Sequence, residues 1–157
     1  AATLDRPCSG VSTLAAIAQA ADASANTVSL LPAGRGEVFA QHFRVTAEDV
    51  IELDTAAHLS PERLLERYGK LRDVVWAGPG AHAQLQLLRD HALKHDIEFS
   101  EQPASHGWSL APLAENLAQH IAALALRNHS RGETERADML RAFYVRPSDA
   151  EINQPWR

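Results

Sequence analysis

The chain has 157 residues, of which 45% are hydrophobic and 22% charged, and its net charge at pH 7 is −5. This length predicts one globular domain whose core buries roughly two thirds of the unfolded surface. The acidic balance argues against direct, non-specific nucleic-acid binding, because it removes the usual attraction for phosphate backbones.

The chain contains a single cysteine, Cys8, so an internal disulfide framework is excluded. One thiol outside any Cys or His cluster is typical of a reducing cytoplasm, and Cys8 is expected to be a small buried hydrophobe. No apolar run approaches the roughly 18 residues of a spanning helix, and residues 1–5 lack a charged leader. We therefore expect a soluble cytoplasmic protein without membrane contact.

The first part of the chain predicts a helix followed by three strands. The predicted elements are a helix over 11–21 and strands over 26–33, 37–45 and 49–53, with a connecting loop over 54–59. Apolar side chains recur with helical spacing after Ser12, which is placed to cap the helix. The first two strands flank Gly34-Arg35-Gly36, and this arrangement predicts a hairpin.

The remaining part alternates between helices and strands. The predicted elements are helices over 61–68, 81–95 and 110–125 and strands over 74–77 and 97–99, followed by a loop over 131–136. Ser60-Pro61-Glu62 is a strong helix start, because the Ser oxygen can accept a free backbone donor and Pro loses nothing at the first helical position. The apolar run Val74–Ala77, bounded by Gly78-Pro79-Gly80, predicts a buried parallel strand and a tight turn into a helix.

After the first helix, the order is three consecutive strands, then helix, strand, helix, strand, helix. This order predicts an α/β, ribonuclease H-like lobe, the unit that is duplicated in the actin-like ATPases, in which three antiparallel strands precede right-handed crossovers. We expect residues 1–22 to end a mostly missing first lobe, residues 23–130 to form the second lobe, and residues 131–157 to be a tail packed on it. The apolar stripe of the first helix would then lack a cover and promote self-association.

The strand positions that carry catalytic groups in nucleases of this fold lack carboxylates. Two-metal hydrolysis requires clustered oxygen ligands on the first strand and near the end of the fourth. The first strand offers Thr27, Ser29 and Pro32, and the fourth ends in Trp76-Ala77-Gly78. These residue types argue against a nuclease, and we predict no catalytic residue.

Gly78 and Gly80 are the candidate cofactor-binding residues. A Gly-rich turn at a strand-to-helix junction can present backbone donors to an anion. Pro79 removes one of these donors, and the alternative is a tight loop that lets the helix pack on the sheet. We predict no bound cofactor.

His91 and His95 stand four residues apart on one predicted helical face, as metal ligands can. A zinc peptidase also requires a Glu directly after the first His and a third ligand, but Ala92 occupies the position of the Glu. The other histidines are scattered, and Asp90, Lys94 and Asp96 make this stretch polar. A solvated helix face is therefore favoured, and we predict no metal site.

Four segments carry a family resemblance. They are Gly10–Ala18, Gly34–Phe39, Ala77–Ala81 and Phe143–Glu151. In this order they resemble the helix start, the Arg-Gly-Glu hairpin, the Gly-rich turn and the closing Tyr-Val-Arg-Pro-Ser segment of the TsaB family, also called YeaZ. The chain departs from the family at Pro32-Ala33, which replaces an Asp before the hairpin, and at Pro79, where an acidic residue is common.

The resemblance implies an actin-like pseudo-ATPase rather than an enzyme. Such a protein binds the catalytic paralogue TsaD, with the ATPase TsaE, in the complex that attaches a threonylcarbamoyl group to a tRNA adenosine, and it meets tRNA only indirectly. The family's first lobe carries an Asp-Thr-Ser strand and a Thr-Gly-Leu-Arg helix and supplies most of its dimerisation surface. Neither motif occurs here, so the resemblance implies the C-terminal lobe, for which a homodimer is possible.

Arg35 and Arg146 are the candidate contacts to a partner protein or to the missing lobe. Their alternative roles are an exposed turn residue for Arg35 and, for Arg146, a carbonyl cap or a pair with Asp149 or Glu151. Two rival functions stay open: a glycoprotease-type metallopeptidase that uses the histidines, and a nucleotide-binding regulator that uses Gly78 to Gly80.

Overall fold

Seven strands form one mixed sheet in the computed structural model, which describes residues 6–142 and 145. The described elements are α1 (Thr13–Ala20), β1 (Ser24–Gly34), β2 (Glu37–Val45), β3 (Val50–Glu52), β4 (Ala57–Leu59), α2 (Pro61–Tyr68), β5 (Val74–Ala77), α3 (Pro79–Ala83), α4 (Leu85–Lys94), β6 (Phe99–Ser100), β7 (Trp108–Leu110) and α5 (Ala118–Ser130). Apart from Val145, the closing segment Phe143–Glu151 lies outside the described residues, and so does Arg146.

The strand order is β3-β2-β1-β5-β7-β6, and β4 also pairs with β2. β2 is antiparallel to β1 and β3, whereas β5 is parallel to β1 and β7 is parallel to β5. A three-strand antiparallel unit that continues into parallel crossovers is the topology of the ribonuclease H-like fold. The predicted fold class is therefore confirmed.

The β1–β2 hairpin forms around the predicted turn. Its register runs from Ser24 opposite Val45 to Gly34 opposite Glu37. Gly34, Arg35 and Gly36 all have positive φ, at 85°, 53° and 79°. Two glycines thus accommodate most of the left-handed backbone that the reversal needs, since a residue without Cβ adopts it at little cost.

The two faces of the sheet carry different side chains. Val28 and Leu30 of β1 lie on the face that α2, α3 and α4 cover, together with Trp76 and Trp108, and all four are fully buried. The two indole rings meet edge to face, with 4.9 Å between centroids. Because side chains alternate along a strand, Thr27 and Ser29 point to the opposite face, which α1 covers.

Helix α1 is covered by the sheet. Leu14 packs with Phe43 and Val45, and Ile17 packs with Ala77 on the same face. The expectation that the apolar stripe of this helix lacks a cover is therefore wrong, since its buried side chains lie against strands of the lobe itself. Ser12 stands at the N-cap as predicted, but its side chain makes no capping hydrogen bond.

The predicted helix over 81–95 is two helices, α3 and α4, that meet at Gln84. The backbone of Gln84 leaves the helical region, with φ −99° and ψ 12°, and the Gln84 side-chain Nε2 donates to the Gly36 carbonyl oxygen at 2.6 Å. A contact to the distant hairpin tip thus accompanies the break.

The predicted helix over 110–125 begins later, at Ala118, and its first apolar residue belongs to strand β7. Leu110 pairs with Trp76 of β5 and is buried. The third strand is shorter than predicted, β4 lies within the expected loop over 54–59, and the strand expected over 97–99 occupies Phe99–Ser100. A short apolar run can form a helix or a strand, and pairing with β5 makes the run at Leu110 a strand.

None of the described helices combines the length and apolarity that crossing a membrane requires.

Candidate functional site

Two candidate glycines, Gly78 and Gly80, lie directly after β5, and the candidate Arg35 lies directly after β1. Strands β1, β5 and β7 are parallel, so their carboxyl ends lie at one edge of the sheet, which is the usual place for sites in such folds. We call this edge the carboxyl edge and define it as residues 34–36, 78–80 and 111–114. It contains Arg35, Gly78 and Gly80.

Next to the carboxyl edge, hydroxyl and methyl side chains occupy the strand positions that a nuclease fills with carboxylates. Thr27 lies beside Val75, and Ser29 lies beside Ala77. Both hydroxyl groups are buried without a hydrogen-bond partner in the described structure. Among residues 6–142 and 145, no group of three His, Cys, Asp or Glu side chains could hold a metal ion. The described strands thus lack the ligands of two-metal hydrolysis.

The Gly78-Pro79-Gly80 turn is packed against β1. Gly78 has φ 89° and stands at the start of α3. A Cβ at Gly78 would lie 2.7 Å from the Leu30 carbonyl oxygen, and a Cβ at Gly80 would lie 2.7 Å from the Leu30 carbonyl carbon. The glycines are needed because helix and strand approach closely, which favours the packing alternative over phosphate binding.

The cavity beside this turn is small and apolar. It has a volume of about 40 Å³ and is lined by α1, the turn and the segment before α5, including Ile17, Ala21, Pro79, Leu113 and Leu117. Small-molecule sites usually have volumes of roughly 300–1,000 Å³ and a few convergent polar groups. This cavity accommodates a few atoms, so a nucleotide does not fit it as it stands.

Arg35 lies at the tip of the β1–β2 hairpin, where its left-handed backbone projects from the sheet and it is exposed. The neighbouring Gly36 is held to α3 and α4 through Gln84. Arg35 therefore lies on a tip that the Gln84 hydrogen bond anchors, beyond the point where β1 pairs with β5 at Ser29 and Ala77. Arg146 cannot be located relative to it, because it lies outside the described residues.

His91 and His95 form a packed pair. The His91 ring is stacked on Trp108, with 5.4 Å between centroids and 6° between planes, and its Nε2 lies 3.2 Å from the Gly69 carbonyl oxygen. The His95 ring lies 4.2 Å from that of His91. One face and one nitrogen of His91 are thus engaged within the lobe, so the predicted solvated helix face is wrong for His91, whereas His95 is exposed.

A polar cluster centred on Asp54 was not anticipated from the sequence. Its carboxylate accepts hydrogen bonds from the His42 backbone N–H at 2.8 Å, from Arg67 Nε at 3.0 Å and from the Tyr68 hydroxyl at 2.9 Å. Arg67 also donates to the Thr55 carbonyl oxygen. The cluster joins β2, the loop before β4 and α2. Nothing in the local sequence pattern connects residue 54 to residues 67 and 68, so no signal could have found it.

Burial shifts two pKa values in this cluster. The pKa of Tyr68 is raised well above its usual value of 10, first by burial and then by the nearby Asp54 carboxylate. The pKa of His42 is lowered below 6.5, chiefly by burial, although Asp54 partly opposes the shift. His42 Nε2 lies 3.1 Å from Asn26 Oδ1. Tyr68 thus stays neutral, and its hydroxyl can donate to Asp54 and help to hold α2 on β2.

The topology and the carboxyl edge define a ribonuclease H-like α/β lobe whose described strands lack a carboxylate cluster. No protein-family model and no curated protein matches the sequence. Two solved structures match the fold of this chain. The fold is similar to YeaZ from Pseudomonas aeruginosa, with a TM-score of 0.66 and 23% identity over 90% of this chain and 61% of that one.

A second similar structure is described as an uncharacterized protein with similarity to peptidase YEAZ from Pseudomonas aeruginosa. Its TM-score is 0.63, with 22% identity over 92% of this chain and 61% of that one. The present chain therefore spans 61% of the length of each. The predicted resemblance to YeaZ is confirmed at the level of the fold.

Proposed function

We propose that this chain is a TsaB-like protein and acts as a non-catalytic partner in the transfer of a threonylcarbamoyl group to a tRNA adenosine. It binds a TsaD-like catalytic paralogue, a TsaE-like ATPase joins the same complex, and tRNA is met only through that complex in the cytoplasm. The observation that carries the proposal is the fold shared with YeaZ over 90% of this chain.

The non-catalytic role is supported by the residue types on the strands next to the carboxyl edge. Thr27, Ser29 and Ala77 provide no carboxylate where the nucleases of this fold bind metal ions. A Cβ at Gly78 or at Gly80 would lie 2.7 Å from the Leu30 backbone, so both glycines serve the packing of α3 on β1. The exposed Arg35 offers a fixed positive charge for a partner protein instead, since guanidinium groups bind carboxylates well at interfaces.

The proposal is tested by titrating the purified chain into a TsaD-like protein from the same source in a calorimeter. Saturable binding is expected, and Arg35→Ala should weaken it by roughly tenfold, as removal of an interface arginine often does. Arg63→Ala, which changes an exposed arginine on α2, is the matched control and should leave the affinity unchanged. Absence of binding by the unchanged chain would contradict the proposal.

The nucleotide-binding alternative is separated by a second titration with ATP and ADP. We expect no saturable heat and no ATP hydrolysis by the chain alone, because the turn packs closely on Leu30 and the cavity beside it has a volume of only about 40 Å³. Saturable binding of either nucleotide would favour a regulator that uses Gly78 to Gly80 and would remove the support that the packed turn provides.

A further inference from the structure

Three aromatic rings lead from the core to the surface near the end of α4. They belong to Trp108, His91 and His95, and we call them the ring column. Trp108 is fully buried, His91 is half-buried and His95 is exposed. The His91 ring is stacked on the indole of Trp108, and the His95 ring lies 4.2 Å from that of His91. The column therefore presents its outermost ring to solvent.

The segment that follows α2 holds the two inner rings of the column. The Gly69 carbonyl oxygen lies 3.2 Å from His91 Nε2, and the Leu71 carbonyl oxygen accepts from Trp108 Nε1 at 2.8 Å. A Cβ at Gly69 would lie 2.6 Å from His91 Nε2, so the absence of a side chain makes room for the ring. The inner rings are thus a fixed support for the outer one, and a preorganised surface lowers the ordering cost of binding.

Three exposed basic residues, Lys70, Arg72 and Lys94, lie in the two segments that carry the column. Lys70 follows Gly69 directly, and Lys94 precedes His95. Arg72 Nη1 donates to the His95 carbonyl oxygen at 3.4 Å. Cations beside an exposed aromatic ring are the combination that binds single-stranded nucleic acid, because a base stacks on the ring and the cations contact phosphates.

Carboxylates near the column limit its attraction for a polyanion. They are Asp73, Asp90, Asp96 and Glu98, and all four are exposed. Asp73 is engaged by the Gly107 N–H at 2.8 Å, whereas Asp96 directly follows His95. The chain therefore binds RNA weakly by itself. The contact becomes effective when another protein holds the RNA nearby, as in the complex proposed above.

We propose that the ring column binds an unpaired base of single-stranded RNA, which stacks on the exposed His95 ring. Lys70, Arg72 and Lys94 contact the phosphates on either side of that base. A duplex does not fit this role, because its paired bases are stacked on one another and cannot reach the ring. The identity of the RNA as tRNA rests on the proposed function, whereas the stacking contact does not.

The first test follows the histidine ring resonances of the 157-residue chain by NMR while a single-stranded oligouridylate of about eight nucleotides is added. The His95 and His91 resonances should shift, with a dissociation constant of roughly 0.1–1 mM at low salt. A G·C-rich RNA duplex of the same length and uridine monophosphate should each bind at least about five times more weakly. Equal binding of either probe, or unchanged histidine resonances, would overturn the proposal.

Substitutions at the outer ring separate stacking from charge attraction. His95→Ala should raise the dissociation constant at least about fivefold, whereas His95→Phe should restore the affinity, because a base can stack on the new ring. His129→Ala is the matched control, since it removes an exposed histidine from the last turn of α5. An equal loss in the control, or no recovery with phenylalanine, would contradict stacking on residue 95.

The salt dependence of binding counts the phosphate contacts. With three of them, the logarithm of the association constant should fall against that of the salt concentration with a slope of about −2, and Arg72→Ala should reduce the slope to about −1.4. Asp96→Asn should strengthen binding, because it removes a repulsive charge. Arg63→Ala, which changes an exposed arginine at the start of α2, should keep the original slope. Equal slopes for the Arg72 and Arg63 variants would overturn the phosphate contacts.

The same variants distinguish this contact from the proposed function. In a complex with a TsaD-like protein and tRNA, His95→Ala should raise the dissociation constant of the tRNA at least about threefold. Binding of the chain to the TsaD-like protein without RNA should stay unchanged. Loss of partner binding with intact RNA-induced shifts would remove the proposed function alone. Normal partner binding without any RNA contact would overturn this inference alone.

Discussion

At the scale of single residues, two glycines determine how closely α3 approaches β1. Gly80 is buried, and any side chain there would meet the backbone of Leu30. Backbone cannot give way as a flexible side chain can, so the cost of adding one methyl group is high.

Replacing Gly80 with Ala should therefore lower the free energy of unfolding by about 2–3 kcal/mol, as overpacking in a tight core does. Urea denaturation monitored by tryptophan fluorescence measures the change. Gly10→Ala is the control, because a Cβ there would make an ordinary contact of 3.5 Å with Leu140. Equal losses in the two variants would show that the approach to Leu30 is not limiting.

His42 makes stability depend on pH. Its pKa in the folded chain lies below 6.5, chiefly because of burial, so the unfolded chain binds a proton more readily. The contribution of His42 to folding stability is complete above its pKa in the unfolded chain. It is lost as the pH falls through 6.5 towards its pKa in the folded chain. His42→Gln should therefore flatten the decrease in unfolding free energy between about pH 7 and 5. His106→Gln, on an exposed loop, should keep the original slope.

At the scale of elements, the Asp54 cluster attaches α2 to strand β2. The carboxylate bridges the β2 backbone and the last turn of α2, where Arg67 also lies over the Tyr68 ring at 5.5 Å from its centroid. Donors from two elements converge on one acceptor group. Removing the acceptor leaves several of them without a partner at once.

Asp54→Ala should accordingly reduce the free energy of unfolding by roughly 2–4 kcal/mol, since partly buried donors lose a charged acceptor. Asp138→Ala removes the exposed pair with Arg136 and should cost less than about 1 kcal/mol. Chemical denaturation of both variants provides the comparison. If Asp54→Ala lowers the free energy of unfolding no more than Asp138→Ala does, the cluster does not hold α2 on β2.

At the scale of the whole molecule, β1 is the centre of the sheet and α1 covers one of its faces. β1 pairs with β2 on one side and β5 on the other, and Val28 and Leu30 are fully buried. By contrast, β3 and β6 lie at the two ends of the strand order. Opening of β1 therefore requires most of the lobe to unfold.

Amide hydrogen exchange should reflect this arrangement. We expect the amides of β1 and β5 to exchange slowest, at the rate of global unfolding, those of α1 to be protected through its packing on the sheet, and those of β3 and β6 to exchange fastest. Mass spectrometry of peptides from each element measures the rates. Rapid exchange in α1 would show that the helix is loosely attached, as the sequence alone had suggested.

The elements that the sequence predicted correctly are those whose signal is local. Gly34-Arg35-Gly36 between alternating strands fixed the hairpin, and Ser60 accepts from the Arg63 N–H at 3.4 Å as a cap does. The run Val74–Ala77 and its glycine turn also lie where expected. Turn chemistry, capping and apolar periodicity involve neighbours in the chain, so one sequence carries them.

What only the tertiary structure decided depends on contacts between distant residues. Pairing with β5 makes Leu110 part of a strand, and a hydrogen bond to the hairpin tip accompanies the helix break at Gln84. The approach of Leu30 gives Gly78 and Gly80 a packing role, and the Asp54 cluster forms across thirteen or fourteen residues. Local composition determined which segments could form helices, strands and turns. Three-dimensional packing determined which polar groups found hydrogen-bond partners and which spaces were filled, because these interactions join residues that no sequence spacing relates.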